Sequence, residues 1–169
     1  MKRTTLRNMK CGIIMTVVIL MISVVPVIAQ SVTAQSEAPK HSLEGVWVTQ
    51  VTRRNCQTGE PIGATSQTQV TFAKGGSLLE TVGPSIFRSP GNGIWKREHG
   101  RNEYSFAQRF MRFDAAGSFV GSGVVRVALT LDETGDHYTS TATNDVLDVN
   151  GNVIASGCAT SVSTRFSSE

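Results

Sequence analysis

From residue 43 onward apolar and polar side chains alternate with a period of two, and no stretch carries the 3.6-residue period of an amphipathic helix. The alternation is cleanest over residues 118–131. Phe119, Gly121, Gly123, Val125, Val127, Leu129 and Leu131 fall on one face, and Val120, Ser122, Val124, Arg126, Ala128 and Thr130 on the other. The first set is apolar and small and is expected to point inward, with the two glycines marking a bend. Over 137–149 the same reasoning puts Tyr138, Ser140, Ala142, Asn144 and Val146 inside and Thr139, Thr141, Thr143 and Asp145 outside. Over 103–113 the pattern is ambiguous, Tyr104, Phe106, Gln108, Phe110 and Arg112 opposing Ser105, Ala107, Arg109, Met111 and Phe113, and the first set is the one expected inside, with Arg112 near a rim. Over 152–166 it is Ala155, Gly157, Ala159, Ser161 and Ser163, all small.

Turn signals divide this region into eight predicted strands: 45–54, 64–73, 77–83, 94–99, 103–113, 118–131, 137–149 and 152–166. Most connections are two to five residues long, so successive strands are expected to pair as hairpins. Asn150-Gly151 is the strongest single hairpin signal. Eight strands joined in this way form a meander, and closing it removes two exposed edges. A sandwich would need long crossovers. The fold class expected is therefore all-β, an eight-stranded antiparallel up-and-down barrel.

The first third of the chain is different. Residues 1–10 carry Lys2, Arg3, Arg7 and Lys10 and no acid, and residues 12–29 are almost wholly apolar. A basic head before such a run reads as an export signal, with Val27-Ile28-Ala29 at the cleavage position and Val32-Thr33-Ala34 as a second one. The alternative is an uncleaved membrane anchor, for which eighteen apolar residues are near the minimum. The domains expected are thus a signal peptide over 1–29 (or to 34), a polar disordered linker over 30–43 and a barrel over 44–167. The mature protein would be exported, periplasmic or extracellular, without stable membrane association.

Charge changes once the signal is set aside. The whole chain is +3, but from residue 30 onward twelve basic residues face thirteen acidic ones. A near-neutral chain with scattered charges excludes nucleic acid as a partner. Of three cysteines, Cys11 leaves with the signal and Cys56 and Cys158 remain. An even pair in an exported protein is expected to form a disulfide. Such a bond requires α-carbons within roughly 7 Å and so brings the first and last strands together. Setting Cys56 opposite Cys158 puts Trp47 opposite Ser167, with Arg165 within diagonal reach and on Trp47's face. A bulge near Asn55 would shift that register by one. The cysteines then lie on the opposite face from Trp47 and Arg165.

Gly45-Val46-Trp47 early in the first strand, with Arg165 near the end of the last, resembles the lipocalin and wider calycin pattern. In that superfamily a Gly-x-Trp opens the barrel and a basic residue of the last strand packs across the Trp at the closed end. The resemblance implies structural roles for Trp47 and Arg165. It does not extend to the middle lipocalin motif, a Thr-Asp-Tyr-like turn, which this sequence lacks. Phe113-Asp114-Ala115-Ala116-Gly117, Asp148-Val149-Asn150-Gly151-Asn152 and Gly157-Cys158-Ala159-Thr160 resemble small exported bacterial proteins of unassigned function. The allene-oxide-cyclase and dirigent barrels are the rival family.

No catalytic or metal motif stands out. His41, His99 and His137 are scattered and form no metal-ligand spacing. Asp145, Asp148, Asn150 and Asn152 lack the later acid of a calcium loop and read as a hairpin turn. Gly121-Ser122-Gly123 is not a nucleophile elbow. The face assignments put no carboxylate in the lumen, so no glycosidase pair is expected. What remains is a cavity with aromatic walls and a few polar groups. Its expected lining is Trp95, Tyr104, Phe106, Gln108, Tyr138, Ser140 and Asn144, with Phe87 and Arg88 from the 84–93 loop covering the mouth. Arg88, Arg97 and Arg112 are expected mainly in solvent, the alternative being that one of them pairs with an acidic ligand.

The function expected is non-catalytic binding of a small, mainly apolar ligand, without a cofactor. The alternatives are a cyclase or isomerase using the same lumen, and a structural or inhibitory module with a filled core. Oligomeric state is not legible in the sequence.

Overall fold

The computed structural model describes residues 42–83 and 85–167; the expected signal peptide and most of the expected linker lie outside them. Eight strands follow one another: β1 (Gly45–Arg54), β2 (Ser66–Phe72), β3 (Ser77–Val82), β4 (Gly91–Arg97), β5 (Glu103–Phe113), β6 (Phe119–Leu131), β7 (His137–Leu147) and β8 (Val153–Arg165). Each pairs antiparallel with the next, and β8 pairs with β1, so the sheet is a closed up-and-down barrel. The expected architecture is the one found.

Inward and outward positions alternate as the sequence predicts along β5, β7 and most of β6. Ser122, expected outside, is buried, its hydroxyl accepting from Arg109 Nη2, and Phe119 is reversed, exposed instead of inward. A bulge explains the reversal. Arg112 faces Gly121 while Phe113 faces Phe119, so Val120 is an extra residue that flips the face of everything before it. Gly121 holds φ of 128°, a value that favours glycine. A second shift, in β8 opposite Val146 and Leu147, leaves Ile154 as the extra residue there. β4 begins at Gly91, three residues before the expected start, because Gly91–Gly93 still pair with β3 and β5.

The hairpins at 114–118 and 148–152 share one device. An Asp side chain accepts backbone N–H bonds from the residues two and four positions later, and a Gly follows in the left-handed region. Asn150-Gly151 therefore lies within a longer turn headed by Asp148, not in a two-residue loop.

The two ends of the barrel differ. One is plugged by Leu43, Trp47, Phe72, Leu131 and Tyr138, all nearly inaccessible to solvent. Trp47 and Tyr138 rings are 4.9 Å apart, and Phe72 meets Trp95, Phe106 and Tyr138 edge-on at 5.5–6.4 Å. Arg165 lies across Trp47, its guanidinium 4.3 Å from the ring centre. It donates to the carbonyls of Ser42, Glu44 and Gly135 and pairs with Asp136 at 3.4 Å. Gly45 is required beside it, since a Cβ there would sit 2.9 Å from Arg165 Nη1. Burial lowers the Arg165 pKa, with Asp136 opposing the shift.

The β1–β8 seam is pinned at the other end by the Cys56–Cys158 disulfide, with α-carbons 5.2 Å apart. The register differs by two from the expected one. Trp47 faces Arg165 directly, and Cys158 faces Arg54, so Cys56 reaches back from the turn beyond β1. The shift is even, so the cysteines still lie on the face opposite Trp47 and Arg165.

Candidate functional site

The β1–β2, β3–β4, β5–β6 and β7–β8 connections surround the end opposite the plug. Below them the lumen holds a cavity of about 250 Å3. An apolar cavity of about 150 Å3 accepts benzene, so this one has room for a two-ring molecule. Its floor is Phe106 and Tyr138, its walls include Val70, Val82, Val125 and Val127, and Phe110, Arg53 and Asn144 lie toward the mouth.

Missing side chains on β4, β6 and β8 create the space around these groups. A Cβ at Gly123 would fall 2.1 Å from the Phe110 ring, and one at Gly157 would fall 2.5 Å from Asn144 Oδ1. A Cβ at Gly91 would come 2.9 Å from Gln108 Oε1 and 3.1 Å from Glu80 Oε2. Glycine at these positions lets large inward side chains of neighbouring strands lie flat against the backbone.

The polar centre of the lumen is Glu80. It is 7% exposed, and its Oε2 accepts from Arg88 Nη2 at 2.6 Å and from Gln108 Nε2 at 2.7 Å. The Arg88 guanidinium also stacks on Phe110, 3.7 Å from the ring centre. A buried carboxylate is retained only where charge and hydrogen bonds compensate it, and here both do. Two neighbouring polar atoms are uncompensated. Gln108 Oε1 and Thr68 Oγ1, in residues 5% and 7% exposed, have no hydrogen-bond partner among the described residues. Leaving a buried polar atom unpaired costs about 1–3 kcal/mol. Replacing the orphaned hydroxyl in Thr68→Val is therefore expected to stabilise the protein by about 1 kcal/mol, seen as a higher urea midpoint with an unchanged slope.

Several other inner hydroxyls bond one another. Thr49 Oγ1 bonds both Tyr138 OH at 3.1 Å and Ser163 Oγ at 2.9 Å, and Ser140 bonds Ser161 at 2.6 Å. Burial raises the Tyr138 pKa, with the nearby Glu80 charge adding to it, so this phenol stays protonated at neutral pH.

Several expected site residues are elsewhere. Trp95 and Tyr104 do not line the cavity; they belong with the plug, their rings 6.0 Å apart, and Trp95 Nε1 donates to Ala73 O. Phe87 is exposed and does not cover the lumen, because its backbone pairs with Phe113 and directs the side chain outward. Phe106, Gln108, Tyr138, Ser140, Asn144 and Arg88 do line it. Arg88 is not a solvated arginine, and the expectation of a lumen without acid fails at Glu80. Glu80, Thr68 and Phe110 are among the lining residues that the expected set did not include, with the valines of the wall and Arg53.

Two larger depressions, about 810 and 650 Å3, lie on the outside of the barrel over outward residues such as Ser105, Ala128, Thr141 and Thr160. They bring no orphaned buried group together. Among the described residues no cluster of His, Cys, Asp and Glu could hold a metal ion. In comparison with known proteins, the chain matches no family model and no curated sequence, so the site's geometry alone bears on its function.

Proposed function

We propose that this protein is an exported, calycin-like container that binds one small, mainly apolar ligand in its lumen without transforming it. The observation that carries this reading is the 250 Å3 space between the aromatic plug and the mouth, walled by valine and phenylalanine. The Trp47–Arg165 packing fits the lipocalin-like arrangement, and the disulfide fits an oxidising compartment. For a cyclase or isomerase, the lumen would have to present an available base. Its carboxylate is tied to Arg88 and Gln108, and its phenol is held neutral.

The test is calorimetric titration of protein expressed from its full sequence with naphthalene. One molecule is expected per chain. Ala142→Phe, which fills the lumen from β7, is expected to abolish uptake while unfolding remains cooperative. Absence of uptake by the unsubstituted protein, or uptake unchanged by Ala142→Phe, would overturn the container reading in favour of a filled core.

A further inference from the structure

We infer that the lumen selects ligands bearing a neutral hydrogen-bond donor, a hydroxyl or an N–H, on a compact apolar body. This rests on the container reading and specifies what the container takes. Gln108 Nε2 donates to Glu80 Oε2 at 2.7 Å. Turning the amide over would set its oxygen against the carboxylate oxygen, so the orientation is fixed by charge. Gln108 Oε1 is thereby a buried acceptor with no donor among the described residues, on a side chain that lines the cavity. An amide oxygen only accepts; a ligand that satisfies it must donate. Thr68 Oγ1, the second orphan and also on a residue that lines the cavity, can accept from that group or donate to it.

Charge narrows the class further. The Glu80 negative charge is already matched by Arg88 at 2.6 Å. A carboxylate ligand would add a second negative charge beside Glu80 and would find at Gln108 Oε1 an acceptor like itself. An ammonium ligand would compete with Arg88 for Glu80 and would pass Arg53 at the mouth. A neutral donor meets neither penalty. Sites built to hydrogen-bond a ligand group discriminate strongly against analogues lacking it, because the buried partner is then left unpaired.

The experiment is a titration series with four probes of one shape: 2-naphthol, naphthalene, 2-methoxynaphthalene and 2-naphthoate. We expect 2-naphthol to bind at least tenfold more tightly than each of the others. Gln108→Met, which keeps the length of the side chain and removes the acceptor, is expected to reduce the preference over naphthalene to below threefold while naphthalene still binds. Thr68→Val removes only the hydroxyl and leaves the Gln108–Glu80 bond in place. It supplies a second variant, expected to reduce the preference at least threefold, should Gln108→Met fail to fold. Equal affinity for naphthalene and 2-naphthol, tightest binding of 2-naphthoate, or a preference untouched by both variants overturns the inference and leaves the container intact. Failure of every probe, naphthalene included, overturns the container and this inference with it.

Discussion

Removing the Cys56–Cys158 bridge as Cys56→Ala with Cys158→Ala is expected to lower stability by about 4–5 kcal/mol. The bond joins residues 102 apart. Cross-linking a loop of roughly a hundred residues restricts the unfolded chain by about that amount in the entropy model. Urea denaturation of the oxidised protein and the double variant measures the difference directly. A loss below about 1 kcal/mol would show that the unfolded chain is already confined or the native bond strained. The loss should also have a place. The bridge sits at the mouth end of the seam, where Cys158 faces Arg54, whereas the plug end is held by Arg165. Amide exchange should therefore accelerate first in β1 and β8 near Arg54 and Cys158, with the ladder around Trp47 keeping more of its protection.

Trp47→Ala is expected to cost about 3–5 kcal/mol, the range for deleting a fully buried large aromatic. Trp47 has no exposed surface, donates through Nε1 to Leu43 O at 2.9 Å and touches Tyr138 and Arg165. Its loss opens a void in the plug and strands an arginine whose flat face it covered. Arg165→Ala should cost less alone, and adding it to Trp47→Ala should cost less than the sum, because the two share one contact. Strict additivity in denaturant titrations would mean that the stacking across the ring contributes nothing.

The parts of the fold legible in the sequence are those where the pattern had a single solution. In β6 one alternating set is wholly apolar or small, and in β7 one set, Thr139, Thr141, Thr143 and Asp145, is wholly polar, so the faces follow. The nearness of Trp47 and Arg165 was legible because the expected Cys56–Cys158 bond sets β8 beside β1 and fixes their register to within two residues. The reversal at Phe119 was hidden because a bulge adds one residue without changing composition, although Gly121 was the visible clue. Two residues of the expected pocket, Trp95 and Tyr104, turned out to be plug. An inward aromatic has the same pattern whether it meets a ligand or another ring, and Trp95 and Tyr104 meet rings. Glu80 was missed for the opposite reason. In β3, Leu79 is exposed and Glu80 buried, contrary to what hydropathy dictates. Only the arrival of Arg88 from the next connection and Gln108 from β5 makes that placement tolerable, and neither is near in sequence.

The seam between β1 and β8 has a kinetic consequence. Seven of the eight ladders join consecutive strands, and the eighth joins the first strand to the last. Hairpins can zip as soon as both of their strands exist, but β1 keeps an unpaired edge until the C-terminal strand has been made and has come round to meet it. Ring closure, with its large sequence separation, is therefore the step expected to set the pace of folding. Until it happens the newly made chain is an open ribbon with one sticky margin at either side.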